Sequence, residues 1–190
     1  MSGMQIFGVV VVVLLLLTVM LYNRLVALRQ TRNNAFSDIY VQLKQRYTLV
    51  PQLVETVKGY AAHEKGVLET VTAARAQVGS AGAGVSADRM QAESMLGASL
   101  GRLLAVSENY PALKADANFR QLMDELNDIE NKIAAARRFF NSATSEYNTA
   151  AQQFPASLIA NTFGFKQEPF FEVAPDEKAA IDKAPEVKFG

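Results

Sequence analysis

The sequence predicts an all-α protein: an N-terminal transmembrane helix continuing into an antiparallel four-helix bundle with long helices. Three observations predict it. Met1 to Asn23 carries no charged side chain and is dominated by Val and Leu. Beyond it, apolar residues recur at steps of three and four as far as Ala150. No stretch shows the period-two alternation of a half-buried strand.

The anchor comes first. Val9 to Val13 and Leu14 to Leu17 are unbroken apolar runs, and the residues that mark the span are Ile6, Phe7, Val13, Leu17, Leu21 and Tyr22. About 18 apolar residues, at ~1.5 Å of rise each, approach the thickness of a bilayer's hydrocarbon core. A cleaved signal peptide would open on basic residues and end on a small-x-small site, and neither is present. Tyr22 is expected at headgroup depth, with Asn23 and Arg24 beyond it. Arg24, Arg29 and Arg32 follow the span, whereas no Lys or Arg precedes it. The positive-inside rule then gives N-out, C-in, with the bundle in the cytoplasm and the span in the inner membrane of a bacterial cell.

The first long helix is expected to run through Leu25, Leu28, Ala35, Ile39 and Leu43 and to stop before Pro51, because the residue before a proline is pushed out of the helical region. In the second helix Val50, Val57, Glu64, Val71 and Val78 repeat every seven residues, with Leu53, Tyr60, Val67 and Ala74 as companions. The stripe is broader than a two-stranded coiled-coil seam. Gly79 to Gly84 is a flexible connection. Ser86 and Asp88 offer caps for a third helix through Met90, Leu96, Leu100, Leu103 and Leu104, closed by Asn109-Tyr110-Pro111. The fourth is the most regular: Phe119, Leu122, Leu126, Ile129, Ile133, Ala136, Phe140, Ala143, Tyr147 and Ala150 lie on one face. The predicted organisation is therefore an anchor at 1–23, a bundle at 24–153, a Pro-interrupted apolar segment at 154–175 and a charged, disordered tail at 176–190.

Composition narrows the chemistry. Nineteen basic and nineteen acidic residues cancel, leaving no basic excess to hold a phosphate backbone, so no nucleic-acid partner is expected. The absence of Cys removes thiolate ligands and a Cys nucleophile. His63 is the only His; a zinc-protease helix would need a second at position 67, which is Val. A carboxylate-bridged di-iron bundle also needs two His. No catalytic residue, metal or cofactor is expected.

Two features remain. Glu64 interrupts a stripe of valines, and a carboxylate there must be paired or exposed. A buried ion pair of Glu64 with Lys44 or Arg46 across a turn at Pro51 is expected; exposure at the stripe's edge is the alternative, with proton or ligand chemistry third. In the tail, Leu158, Ile159, Phe163, Phe165, Phe170 and Phe171 are large apolar groups outside the periodic core. They must meet the bundle, the membrane surface or a neighbour, and a homo-oligomer built partly on them is expected, with capping of their own bundle as the equal alternative.

Several motifs together resemble the bacterial LemA family. They are Tyr22-Asn23-x-Leu25-Val26, Asp38-Ile39-x-Val41-x-Leu43-Lys44-x-Arg46, Leu49-x-Pro51-x-Leu53-Val54, Gly59-Tyr60-Ala61-x-His63-Glu64, Ala73-Ala74-Arg75, Tyr110-Pro111-x-Leu113-Lys114-Ala115 and Glu130-Asn131-x-Ile133-Ala134-x-Ala136-Arg137. Phe140-Asn141 and Tyr147-Asn148 extend the match; Phe140 stands where the family commonly has Tyr. The resemblance implies a membrane-anchored helical bundle with no enzymatic activity, related to LemA-like proteins of magnetosome membranes. The expected role is a scaffold or interaction protein whose partners are the lipid bilayer, further copies and a protein the sequence does not name. The alternative is a membrane-tethered sensor or adaptor that couples ligand or stress binding to a partner.

The orientation is directly testable because the chain has no native Cys. Gly3→Cys should react with an impermeant maleimide on intact cells, and Ser145→Cys only after permeabilisation. The reverse pattern would overturn N-out, C-in.

Overall fold

The helix that begins in the apolar run does not stop where its proline predicts. In the computed structural model, which describes residues 2–82 and 84–171, α1 spans Gly3–Tyr60 with Pro51 inside it. The helices that follow are α2 (Lys65–Ser80), α3 (Ala87–Ser107), the single turn α4 (Pro111–Ala115), α5 (Ala117–Gln152) and α6 (Ala156–Phe163). No strand occurs among the described residues. The expected disordered tail at 176–190 lies outside them.

A proline within a helix has no N–H for the carbonyl four residues earlier. That carbonyl belongs to Tyr47, and the Arg75 side chain of α2 supplies the missing donor, Nε to O, at 3.1 Å. The Arg75 guanidinium also lies 4.1 Å from the centre of the Tyr47 ring. A tertiary contact thus replaces the lost backbone bond and α1 continues to Tyr60. The turn falls instead at Ala61–Glu64, where the Ala61 N–H still bonds back to Val57 and the Glu64 N–H to Ala61. The seven-residue repeat is broken at its middle member: Val50 and Val57 are buried on α1, Val71 and Val78 on α2, and Glu64 precedes the first residue of α2.

The described residues divide into two compact units, 2–37 with 136–170, and 38–135 with 171. In the second unit α1, α2, α3 and α5 all contribute to the core: Leu43, Leu53 and Val57 from α1, Val71 and Val78 from α2, Leu96 and Leu103 from α3, Leu126 and Ile133 from α5. Ser86 caps α3, its hydroxyl accepting the Arg89 N–H at 3.1 Å, and Gly82 and Gly84 take the positive φ that the preceding turn requires. Asp116 caps α5, its Oδ1 accepting the Phe119 N–H at 2.8 Å while Oδ2 accepts the Tyr60 hydroxyl at 2.9 Å. Those bonds, the Phe119 amide first, hold the Asp116 carboxyl below the usual Asp range, and the same contact raises Tyr60.

In the first unit α1 and α5 run antiparallel. Phe36 meets Phe140 edge-on at 5.8 Å, Arg32 meets Thr144, and Leu25 shares a buried cluster with Ala150, Ala151 and Ala160 of α6. The first part of α1 contains an 18-residue window of mean hydropathy 2.8, none of it buried. It is long and apolar enough to cross a bilayer.

Ile133, 2% exposed, sits mid-stripe on α5, and Arg138 is exposed. Ile133→Ala should destabilise by about 2–5 kcal/mol, and Arg138→Ala by less than about 0.5 kcal/mol. Equal losses in denaturant unfolding of the detergent-solubilised chain would show the stripe to be misassigned.

Candidate functional site

The polar groups that stand out are buried arginines. In the second unit, Arg46 enters the core from α1. Its Nη2 donates to the Glu93 carboxylate at 2.7 Å and to the Glu93 backbone carbonyl at 2.8 Å, and its Nη1 to Glu130 of α5 at 3.0 Å. The other Glu93 oxygen accepts from Arg89, one turn earlier on α3, at 2.8 Å from Nε and 2.6 Å from Nη2. Arg89 Nη1 donates to the Gly82 carbonyl at 2.9 Å. Two guanidinium and two carboxylate groups therefore balance, and three helices are tied through one side chain. Gly97 makes room: a Cβ there would lie 3.2 Å from Arg46 Nη1. Both Glu93 oxygens are committed to guanidinium donors, which leaves a brace and not a nucleophile or general base.

In the first unit, Arg32 is 2% exposed. Nε donates to Thr144 Oγ1 at 3.1 Å, Nη2 to the Pro169 carbonyl at 3.0 Å, and Nη1 approaches Glu168 Oε2 at 3.3 Å. The group also lies over the Phe140 ring at 4.7 Å. Burial pulls the Arg32 pKa down from its ordinary value, and the Glu168 carboxylate opposes that shift. The Asn148 side chain pairs with the backbone of Glu168 as a strand neighbour would, donating to its carbonyl and accepting its N–H, both at 2.9 Å. The Tyr147 hydroxyl donates to the Lys166 carbonyl at 2.9 Å. Burial raises the Tyr147 pKa. The segment after α6 is thus clasped by side chains of α1 and α5.

The expected Glu64–Lys44/Arg46 pair does not form. Arg46 lies 14 residues before Tyr60, about 21 Å of helix rise, so a turn at 61–64 leaves Glu64 far from it. Lys44 is exposed. Glu64 instead accepts the Tyr110 hydroxyl at 3.0 Å, a bond that raises Tyr110 from the usual Tyr value. Glu64 and His63 line a half-open cleft of about 280 Å³ with Gly66, Val67, Thr70, Ser99 and Arg102. Among the described residues, no group of three or more His, Asp or Glu is placed to hold a metal. The six tail residues divide. Phe171 is buried, Ile159 and Phe165 pack against the Leu25 cluster, and Leu158, Phe163 and Phe170 are exposed. Ile6, Phe7, Val13, Leu17 and Tyr22 are exposed along α1 and Leu21 is half-covered.

Glu93 and Arg89 were not singled out by the sequence reading, yet a signal existed. Glu93 lies three residues after Met90 and three before Leu96, within the buried phase of α3. Arg32 and Arg46 likewise fall on the phase of Leu28, Ala35, Leu43 and Val50.

Fold and site together define a class: an all-helical protein with one long apolar N-terminal helix and a core cross-braced by buried arginines. The LemA family model matches residues 35–189, and the chain belongs to the LemA family. Among its relatives, the magnetosome protein MamQ of Magnetospirillum gryphiswaldense is 27% identical over 180 residues, covering 82% of this chain and 66% of that protein. MamQ 2 of Paramagnetospirillum magneticum is 26% identical over 198 residues, covering 91% and 73%. Protein LemA of Metamycoplasma hominis is 23% identical over 163 residues, covering 84% and 73%. The chain thus spans about two thirds of the first of these.

Glu93→Ala would leave the buried Arg89 guanidinium without a carboxylate and Arg46 with Glu130 alone, and should cost about 3–5 kcal/mol. Glu108→Ala removes only an exposed partner of Lys114 and should cost less than about 1 kcal/mol. Comparable unfolding midpoints for the two variants would remove the brace from the account of stability.

Proposed function

We propose that this protein is a non-enzymatic, membrane-anchored scaffold of the LemA type. Its apolar N-terminal helix would hold it in the bacterial inner membrane, with an antiparallel four-helix bundle on the cytoplasmic side offered to partner proteins and to further copies of itself. The observation that carries this reading is α1 itself: the exposed apolar stretch and the core residues Leu43, Arg46 and Leu53 belong to one helix. The Arg46 guanidinium it buries is committed to Glu93 and Glu130, as a brace requires. Confinement to two dimensions raises the effective concentration of copies, which favours weak self-association.

The test is extraction and assembly. The full chain should stay with membranes through alkaline carbonate and, in gentle detergent or nanodiscs, cross-link to multiples of the monomer mass together with a reproducible set of partner proteins. Release by carbonate would overturn the anchor; a monomer at every concentration with no co-purifying protein would overturn the scaffold.

The cleft beside His63 favours a second reading, a tethered sensor. It is concave and lined by His63, Glu64, Thr70, Ser99 and Arg102 close to the α1–α2 turn. A small molecule that raises the melting temperature of the wild type but not of His63→Ala would support that reading over a passive scaffold.

A further inference from the structure

We infer that the α5–α6 turn and α6 form an interfacial foot, inserted into the bilayer surface beside the point where α1 leaves the membrane. The inference rests on the anchored reading of α1 and adds a second lipid contact to it.

The argument begins with what the segment leaves uncovered. No charged side chain occurs from Tyr147 to Phe165. Within that stretch Phe154 is 81% exposed, Leu158 58% and Phe163 55%. The small residues Ala156 and Ala160 face inward. Ile159 packs on the core beside the two alanines, and Leu158 and Phe163 stand outside with Asn161 and Thr162, a larger apolar load than the outer face of a short water-facing helix carries.

Position decides what covers it. Down α1 the partners on α5 shift in step: Phe36 with Phe140, Arg32 with Thr144, Leu25 with Ala151. Continued toward Tyr22, that register runs off the end of α5 at Gln152 and into the α5–α6 turn that holds Phe154. The rings of Phe163 and Phe165 lie 5.1 and 5.5 Å from the Tyr22 ring, both edge-on. Tyr22 is eight residues from Leu14 at the middle of the apolar run, about 12 Å of helix rise. Half of a hydrocarbon core is ~15 Å. Tyr22 and the rings against it therefore stand at the boundary between acyl chains and headgroups, the depth at which aromatic side chains concentrate.

The segment is also held there. Gly164 takes a left-handed φ of 73°, the Phe165 N–H returns to the Ala160 carbonyl at 2.9 Å, and the next residues are clasped by Tyr147, Asn148 and Arg32. With Ala156 and Ala160 already against the core, the outer face meets whatever surrounds α1 at that level, and in an anchored chain that is lipid. The foot carries no charge, so its contact should depend on apolar insertion and not on anionic headgroups.

The chain has no Trp, so single substitutions are unique fluorophores. Leu14→Trp, Phe154→Trp, Phe163→Trp and Phe139→Trp would each be placed in the full chain and reconstituted in phosphatidylcholine vesicles brominated near the headgroup or near the chain end. Phe154 is so exposed that its replacement removes almost no packing, and Phe139, exposed on α5 far from Tyr22 in the sequence of pairings, is the water-facing control. Leu14→Trp should be quenched most by deep bromine. Phe154→Trp and Phe163→Trp should be quenched most by shallow bromine, with blue-shifted emission, equally with and without anionic lipid and at high salt. Phe139→Trp should respond only to aqueous acrylamide. If Leu14→Trp is quenched while Phe154→Trp and Phe163→Trp respond to acrylamide alone, the foot is wrong and the anchor stands. If both are shielded from lipid and acrylamide, and the shielding falls on dilution with excess lipid, the face is covered by a second copy and the lipid assignment is wrong. Absence of lipid quenching at position 14 would overturn anchor and foot together.

Discussion

A guanidinium removed from water brings five N–H donors that must find acceptors, and much of this fold is arranged around that demand. Arg46 meets most of it by collecting two carboxylates and a backbone carbonyl from two other helices through Nη1 and Nη2, while its buried Nε has no acceptor. Arg32 meets it with Thr144, the Pro169 carbonyl and Glu168, and in doing so fixes the segment beyond α6. Arg75 meets it with the one carbonyl that Pro51 cannot serve. A leucine in any of these places would be at home in many registers. A guanidinium is satisfied in one, so these residues select the pairing of helices while the leucines and valines around them provide the apolar burial.

The helices were legible because their signal is a period, and a period survives without knowledge of partners. The stripe of α5 from Phe119 to Ala150 and the cap at Ser86 follow from local chemistry alone. The end of the first helix did not, because the proline rule is local and the donor that overrides it, Arg75, lies 24 residues beyond Pro51 in the chain. The fate of Glu64 failed with it: the ion pair with Lys44 or Arg46 depended on a turn at Pro51, and a turn at 61–64 gives Glu64 the Tyr110 hydroxyl instead. Arg46 entered only as a candidate partner for Glu64, and its acceptors on α3 and α5 depend on helix pairing, which periodicity does not encode. The departures that could have been read are charged residues on the buried phase: Arg32, Arg46, Arg89 and Glu93.

The same division holds for the tail. Its apolar content announced a contact, and composition could not say which of three surroundings would provide it. The structure separates the residues by what they touch: Ile159 and Phe165 pack against the cluster of Leu25, Ala150, Ala151 and Ala160, while Leu158 and Phe163 are exposed. Asn148 lies on the buried face of α5 beside Tyr147, but its partner was not legible, since a side-chain amide that pairs with a distant peptide group is recognised only when that peptide is beside it.

The arrangement at Pro51 makes the stiffness of α1 conditional. With α2 in place the Tyr47 carbonyl is satisfied and the helix passes the proline as one rod. With α2 displaced the carbonyl is bare, the ring of Pro51 presses on it, and the helix has a natural place to bend. Mechanical continuity along α1 is therefore a property conferred by a neighbour docked far along the chain, and it is gained or lost together with that neighbour.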